Sequence, residues 1–350
     1  MIDSLFAGSL LTSLLLATLW GGLALGHRLP ASRSVRWLTV LAWLGAGGVW
    51  GLLVWQGARL APLAGMAIQM IALLAWWRQL RPAGDRDWAD DVAHLATGEV
   101  AGHRLILHHV RHFDWETRDR ARVVWERREY DLRALASLDL FVSRWGRPGI
   151  AHVLLSFGFA DERGESDDFL AFSVEVRRER REDFSEIGGF FKRYELAVIA
   201  ADERDAVRLR SNVRGESVTL YRVMLGDRAR RDLLMALVEE ANRLEEQPRF
   251  YHTVTANCTT LVFGLMRQII EGLPVDHRLL LSGLLPSYVH DHGGLVSGYG
   301  LAELRRLGDI TERARAAHAA PDFSHRIREG VPGWSDEAPS RQKAGRGVPR

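Results

Sequence analysis

The 350-residue chain has a single cysteine, Cys258, which excludes an intrachain disulfide framework and any zinc site built on two or more thiolates. Acid is nearly missing from one stretch: residues 1–81 hold one carboxylate, Asp3, against six arginines. The other 269 residues carry 40 basic and 43 acidic side chains, so the net charge of +2 and the pI near 8.9 arise in the short arginine-flanked stretch. The faintly acidic remainder removes the electrostatic ground for a nucleic-acid partner, and none is expected. Apolar periodicity is absent after Pro332, and residues 332–350 read as a disordered tail.

What fills the first 81 residues is hydrocarbon. Residues 5–26, 37–55 and 60–77 are runs of 22, 19 and 18 residues without a charge. At 1.5 Å per residue each reaches across about 30 Å of bilayer core. Seven of the twelve tryptophans lie here, and Trp20, Trp37, Trp55, Trp76 and Trp77 fall near span ends, where an indole prefers the headgroup level. Residues 1–81 are therefore expected to form a membrane anchor of two or three transmembrane helices. No basic segment precedes the first run, which argues against a cleaved signal peptide. The third run contains Pro62 and Gln69, and orientation depends on it. Three crossings put Arg28, Arg33, Arg36, Arg78, Arg81 and Arg86 on one side, and the positive-inside rule then places the following domain in the cytoplasm; a re-entrant third segment places it outside.

From residue 82 the composition turns charged and mixed, and residues 82–331 read as one α+β domain. Residues 104–109 alternate as a short strand. Residues 150–159 and 169–177, joined by an acidic glycine-containing turn at 161–168, read as an antiparallel hairpin, and 195–201 and 217–225 as two further strands. Residues 227–246 carry Leu233, Leu234, Leu237, Ala241 and Leu244 on one helical face behind Asp227 as N-cap, with Pro248 as the stop. A second helix is expected to start at 255–257 and run through Leu261, Val262, Leu265, Met266 and Ile269. A third covers 301–319.

Cys258 sits at the predicted start of the second helix, where the macrodipole and unpaired N–H groups stabilise a thiolate and can receive an oxyanion near Cys258 and Thr259. The alternative is a small cysteine packed under the helix. A nucleophile needs a base. Most of the thirteen histidines fall in segments that read as polar loops, among them His94, His103, His108, His109, His112, His277, His290 and His292. His152 differs because it lies within an apolar strand, as either a satisfied core histidine or the general base of a Cys-His dyad. Ser173 and Glu175 on the partner strand are two apart and share a face; either would orient the imidazole, with the carboxylate the better match to an imidazolium.

The run from Ile150 to Phe159 (IAHVLLSFGF), then FSVEVRRE from Phe172, FKRYEL from Phe191, ADERD from Ala201 and NCTT from Asn257, resembles the Lnb N-terminal periplasmic domain family of bacterial membrane proteins over roughly residues 85–330. The resemblance implies a permuted papain-like, NlpC-like domain with an antiparallel sheet and packed helices. It also implies relation to lipoprotein N-acyltransferases that use a Cys-His pair, and a periplasmic domain on a multi-pass anchor in the bacterial inner membrane. Carried over by residue, it supports Cys258 as nucleophile and His152 as base. Glu175, Tyr194 and Glu195 enter as motif members, and Asn257 as the residue before the cysteine. At His109 and His112 this sequence departs from the asparagines more usual in relatives.

The implied activity moves an acyl group from phospholipid, through a thioester on Cys258, to an amine such as a lipoprotein N-terminus. The alternatives are a thiol peptidase or amidase acting on peptidoglycan peptide, and a non-catalytic envelope protein. No cofactor or metal is expected. Asp202, Glu203 and Asp205 read as a solvated turn paired with Arg204 rather than a cation site. His290-Asp291-His292 lacks a nearby third ligand. Trp88, Trp115, Trp125 and Trp145 read as core, and Arg177, Arg178, Arg180 and Arg181 as a solvated edge or a headgroup contact in equal measure.

Overall fold

The computed structural model describes residues 2–146, 149–160 and 166–334. The chain divides into two units. The first combines residues 1–89 with residues 176–196 and 247–256. Its helices are α1 (Ile2–Arg28), α2 (Arg33–Trp55) and α3 (Leu60–Gln79), all three long and apolar enough to cross a membrane. Leu14, Val54 and Met66 meet at one level, and Leu25, Val40 and Leu73 at another, so successive helices run antiparallel. Small residues permit the approach: a Cβ on Gly47 would lie 2.3 Å from the Thr18 hydroxyl. The third run is a continuous helix and not a broken one. Pro62 falls in its first turn, where an N–H has no intrahelical acceptor. Gln69 is satisfied inside the bundle by Trp50 Nε1 at 3.0 Å and the Trp43 carbonyl at 3.4 Å.

Beyond α3, the Glu195 carboxylate accepts from the backbone N–H groups of Ala83 (2.6 Å) and Gly84 (3.2 Å). Gly84 has φ +74°, and a Cβ there would also meet Pro248 at 3.0 Å, so both conformation and space favour glycine. Lys192 Nζ donates to the Trp77 carbonyl, and the Phe191 ring stacks on His27 beside Trp20 and Trp77. Arg177 is buried, its guanidinium 4.6 Å from the Trp88 ring centre, so it is no solvated edge.

The second unit is an α+β domain around an eight-stranded sheet. Its strands are β1 (Thr97–Ala101), β2 (Arg104–Arg111), β5 (Trp125–Asp131), β6 (Leu135–Arg144), β7 (Ala151–Ala160), β8 (Ser166–Arg177), β9 (Glu195–Asp202) and β10 (Ser217–Arg222); β3 (Asp114–Trp115) and β4 (Ala121–Arg122) form a separate ribbon. The order is β1-β2-β9-β8-β7-β6-β10, with β5 also on β2. β7 and β8 pair antiparallel, as the hairpin pattern predicts; β6, which the sequence does not announce, pairs antiparallel with β7, and β2 meets β9 in parallel at Arg111↔Ala201. The helices are α4 (Glu203–Arg208), α5 (Asp227–Glu246), α6 (Cys258–Ile269), α7 (Leu285–Asp291), α8 (Leu301–Leu307), α9 (Thr311–Ala316) and α10 (Phe323–Arg326). α5 buries the predicted leucine stripe.

Several expectations are corrected. The helix over 301–319 is two, α8 and α9, because Gly308 and Ile310 bond to β10 through Leu220 N–H (2.8 Å) and the Val218 carbonyl (3.0 Å). A Cβ on Gly308 would lie 2.2 Å from the Leu220 oxygen, so this approach requires glycine. The acidic turn is not solvated. Glu203 and Asp205 are buried, Glu203 with Asp139 around Arg328, and Asp205 accepting from Arg111 Nε and Nη2, the Phe113 N–H and Trp115 Nε1. Residues 332–334 are ordered: Trp334 Nε1 donates to Asp139 at 2.8 Å, while the rest of the expected tail and most of the 161–168 turn lie outside the described residues. Trp88 and Trp115 are buried, but Trp145 is 42% exposed. His108 and His109 belong to β2, as the alternation over 104–109 predicts, at a register shift where His109 has φ 58°; His290 lies in α7 and not in a loop.

Candidate active site

His152 is the second residue of β7. The β7–β8 register pairs Leu154 with Ser173, and the antiparallel step of two carries His152 and Glu175 to the same face. Val153 lies beyond the last registered pair of that ladder, and its backbone N–H helps hold the Cys258 thiol below its ordinary value. Cys258 is the first residue of α6, and Asn257 is its N-cap. The Asn257 Oδ1 accepts from the N–H groups of Thr259 and Thr260, both at 2.9 Å, and the Thr260 hydroxyl accepts from the Asn257 N–H at 3.1 Å. This cap fixes where the thiol emerges. It also occupies the Thr259 N–H, which is therefore not the free oxyanion donor expected from sequence; of the first-turn donors, the N–H of Cys258 is the one not claimed among the described residues.

The imidazole is held from two sides. His152 Nε2 lies 2.7 Å from Ser173 Oγ and 3.2 Å from Glu175 Oε1, and the Ser173 hydroxyl donates to Glu175 at 2.6 Å. Ser173 and Glu175 thus act together on Nε2 rather than as alternatives. Nδ1 is the nitrogen left for the hydrogen bond between His152 and Cys258.

Behind the carboxylate stand residues that the sequence does not single out. Arg210 lies in the π-helical turn Leu209–Val213 that follows α4, buried, with Nη2 3.0 Å from Glu175 and Nη1 3.5 Å from Glu216. Ser143 on β6, paired with His152, donates to Glu216 at 2.5 Å. A π-turn of this kind re-aims one side chain out of helical phase, and here it turns Arg210 onto Glu175.

Electrostatics follow the contacts. Burial raises the Cys258 thiol, but the hydrogen bond and charge of His152, with the Val153 N–H, outweigh it and hold the thiol below its ordinary value. Burial and the nearby Arg210 charge push His152 down; the Glu175 carboxylate and the thiol outweigh them and hold it above the usual imidazole range. Burial would raise Glu175 too, yet His152, Arg210 and Ser173 keep it well below the usual carboxylate range. All three shifts favour thiolate, imidazolium and carboxylate in a row. Cys258 as a residue is half-buried.

A cavity of about 200 Å³ adjoins α6. Its walls are almost wholly apolar: Val262, Phe263 and Met266 from α6, Leu140 and Leu155 from the sheet, and Leu233 from α5. Thr259, next to Cys258, also lines it; its buried hydroxyl lies close enough to the thiol to favour the thiolate but has no partner in hydrogen-bonding geometry.

Other predicted residues stand elsewhere. Tyr194 and Glu195 belong to the first unit: the Tyr194 hydroxyl donates to the Asp183 carbonyl and accepts from the Ser185 N–H, and Glu195 holds Ala83 and Gly84. His109 Nδ1 faces the Leu95 carbonyl and His112 lies by Asp202 and Arg128. His290 and His292 face the backbone carbonyls of Tyr299 and Tyr288. Among the described residues no group of three or more His, Cys, Asp or Glu side chains is arranged to hold a metal.

Residues 121–283, which contain His152, Ser173, Glu175, Arg210 and Cys258, match the family model described as the Lnb N-terminal periplasmic domain. No curated protein and no solved structure matches the chain.

Proposed function

Because residues 121–283 belong to the Lnb N-terminal periplasmic domain family, in a chain that begins with three apolar helices, we propose that this membrane-associated protein is a thiol acyltransferase. The thiolate of Cys258 attacks the carbonyl carbon of a phospholipid ester. The ester C–O bond breaks, the leaving alkoxide takes its proton from the His152 imidazolium, and a thioester forms on the sulfur. The tetrahedral oxyanion is received by the Cys258 N–H at the positive end of α6. An amine then attacks the thioester, passes a proton to the neutral imidazole, and leaves as an amide while the thiolate is regenerated. Glu175 and Ser173 hold the ring through Nε2 in both half-reactions. A lipoprotein N-terminus is the proposed acceptor, the domain is proposed to be permuted papain-like, and the anchor is proposed to cross the bacterial inner membrane more than once.

The observation that supports this reading is the apolar cavity against α6, lined by Thr259 next to Cys258, whose thiol is held below its ordinary value and its partner His152 above. A cell-wall peptide would ask for a polar groove with hydrogen-bond donors; an acyl chain asks only for apolar surface, at about 0.8 kcal/mol per methylene buried. The test is transfer of label from an acyl-labelled phospholipid to a synthetic lipopeptide amine by the full chain in detergent. Wild type is expected to label the peptide, and Cys258→Ser and His152→Ala to lose transfer. Transfer that persists in Cys258→Ser would sink the proposal.

A further inference from the structure

In the first unit, α1 and α2 line an open groove of about 540 Å³ at the end where α1 stops and α2 begins. Its long walls are apolar: Leu19 and Leu23 on α1 face Val40 and Leu44 on α2. Three arginines, Arg33, Arg36 and Arg193, make its mouth cationic, with His27 beside them, and no carboxylate is among its lining residues. Arg193, which lines the mouth, also gives its Nε to Glu182 at 3.2 Å. Arg33 has no ion-pair partner among the described residues. Arg36 donates to the Ala31 carbonyl through Nη2, while its Nε is buried without a partner. A buried guanidinium N–H left unmade is costly, and three arginines around one opening repel each other unless an anion sits among them.

The dimensions fit an amphiphile. From Leu19 to His27, α1 rises about 12 Å, close to the roughly 15 Å hydrocarbon depth of one leaflet. A free phosphate would use the mouth alone; a phospholipid uses the mouth and the apolar walls together.

Charge placement points the same way. With three antiparallel helices, Arg28, Arg33, Arg36, Arg78 and Arg81 gather at the end of the bundle that leads into the periplasmic domain, against Arg59 in the α2–α3 turn. The positive-inside rule places such a cluster on the cytoplasmic side. A cluster on the opposite side needs a different cause, and coordination of anionic headgroups supplies one.

We infer that the α1–α2 groove binds one anionic phospholipid, its phosphate on Arg33, Arg36 and Arg193 and an acyl chain against Leu19, Leu23, Val40 and Leu44. The inference rests on the membrane-spanning reading of the helices and on the periplasmic side of the domain, not on catalysis, so loss of acyl transfer leaves it untouched. The experiment reconstitutes the full chain in nanodiscs of equal parts phosphatidylglycerol and phosphatidylcholine and reads retained lipid by native mass spectrometry. Wild type is expected to retain one phosphatidylglycerol in preference to phosphatidylcholine. At about 1 kcal/mol per arginine near the surface, each removal costs about fivefold, so Arg33→Gln is expected to lower the preference about fivefold and Arg33→Gln/Arg36→Gln roughly 25-fold. Arg305→Gln/Arg306→Gln, an equal charge change on exposed residues of α8, is expected to leave it intact. Equal retention of the two lipids by wild type, or an effect of the α8 pair as large as that of the α1–α2 pair, would overturn the site. Displacement of the lipid by inorganic phosphate alone would assign the mouth to phosphate and remove the lipid from the account. Arg33 is exposed, so its single variant keeps the test open if the double variant does not fold.

Discussion

Glu175→Gln keeps the shape of the side chain and removes the charge that raises the pKa of His152. Its Oε1 is 3.2 Å from His152 Nε2, 2.6 Å from the Ser173 hydroxyl and 3.0 Å from Arg210. The thiolate is lowered chiefly by His152, so the loss passes through the imidazole to Cys258. Hydrogen bonds to charged groups contribute about 1.5–3 kcal/mol, and 1.4 kcal/mol is a factor of about ten. Alkylation of Cys258 by iodoacetamide at neutral pH should therefore fall by about one to two orders of magnitude, with its midpoint moved to higher pH. The sign of the stability effect is fixed as well. In the wild type the His152 pKa is raised, so the imidazolium contributes fully below the ordinary imidazole value near 6.5 and that contribution is lost as pH rises through the folded value. The variant should lose most of this dependence. Alkylation kinetics followed across pH by intact mass check the first point, and thermal unfolding across the same range checks the second. An unchanged alkylation midpoint in Glu175→Gln would refute the reasoning that runs from carboxylate to imidazole to thiol.

Other outcomes follow from the same geometry. Transfer activity should fall on both sides of a plateau, at low pH as the lowered thiolate of Cys258 protonates and at high pH as the raised His152 loses its proton; a rate that rises monotonically with pH would contradict the ion pair. Met266→Trp should fill the cavity behind α6 and reduce transfer from long-chain esters far more than from short-chain ones, with alkylation of Cys258 unchanged; equal loss for both chain lengths would detach the cavity from the substrate. Asp205→Ala strands the buried Arg111 guanidinium and should cost about 3–5 kcal/mol of stability, read by denaturant titration, with no role expected in the chemistry. Asn257→Ala removes the cap of α6 and should cost about 1 kcal/mol while slowing alkylation of Cys258, because the helix start that presents the thiol loosens.

How much of this was legible in the sequence depended on whether the signal was local. The start of α6 could be read because Asn257 and the sole cysteine precede an apolar stripe at helical spacing, and the β7–β8 hairpin because its two strands are apolar runs around a turn. The common face of His152, Ser173 and Glu175 follows from a period of two. β6 escaped notice because it is buried on both faces while one face carries Asp139 and Ser143, which mixes polar with apolar residues along its length. Arg210 and Glu216 could not be found, since their place depends on a π-turn and on a strand far away in the chain. The charged turn at residues 202–205 read as solvated for the same reason: the arginines that bury Glu203 and Asp205 are Arg328 and Arg111, more than ninety residues away. The helix over 301–319 had adequate periodicity, and only the backbone bonds of Gly308 and Ile310 to β10 divide it.

The central claim is a thioester on Cys258. Full chain mixed with a phospholipid and quenched in acid before the acceptor amine is added can be weighed intact. The account predicts a mass increase of one acyl group on wild type that maps to the peptide containing Cys258, is released by neutral hydroxylamine, and does not form on His152→Ala. An unmodified mass, or an acyl group that maps to any other residue, would contradict it.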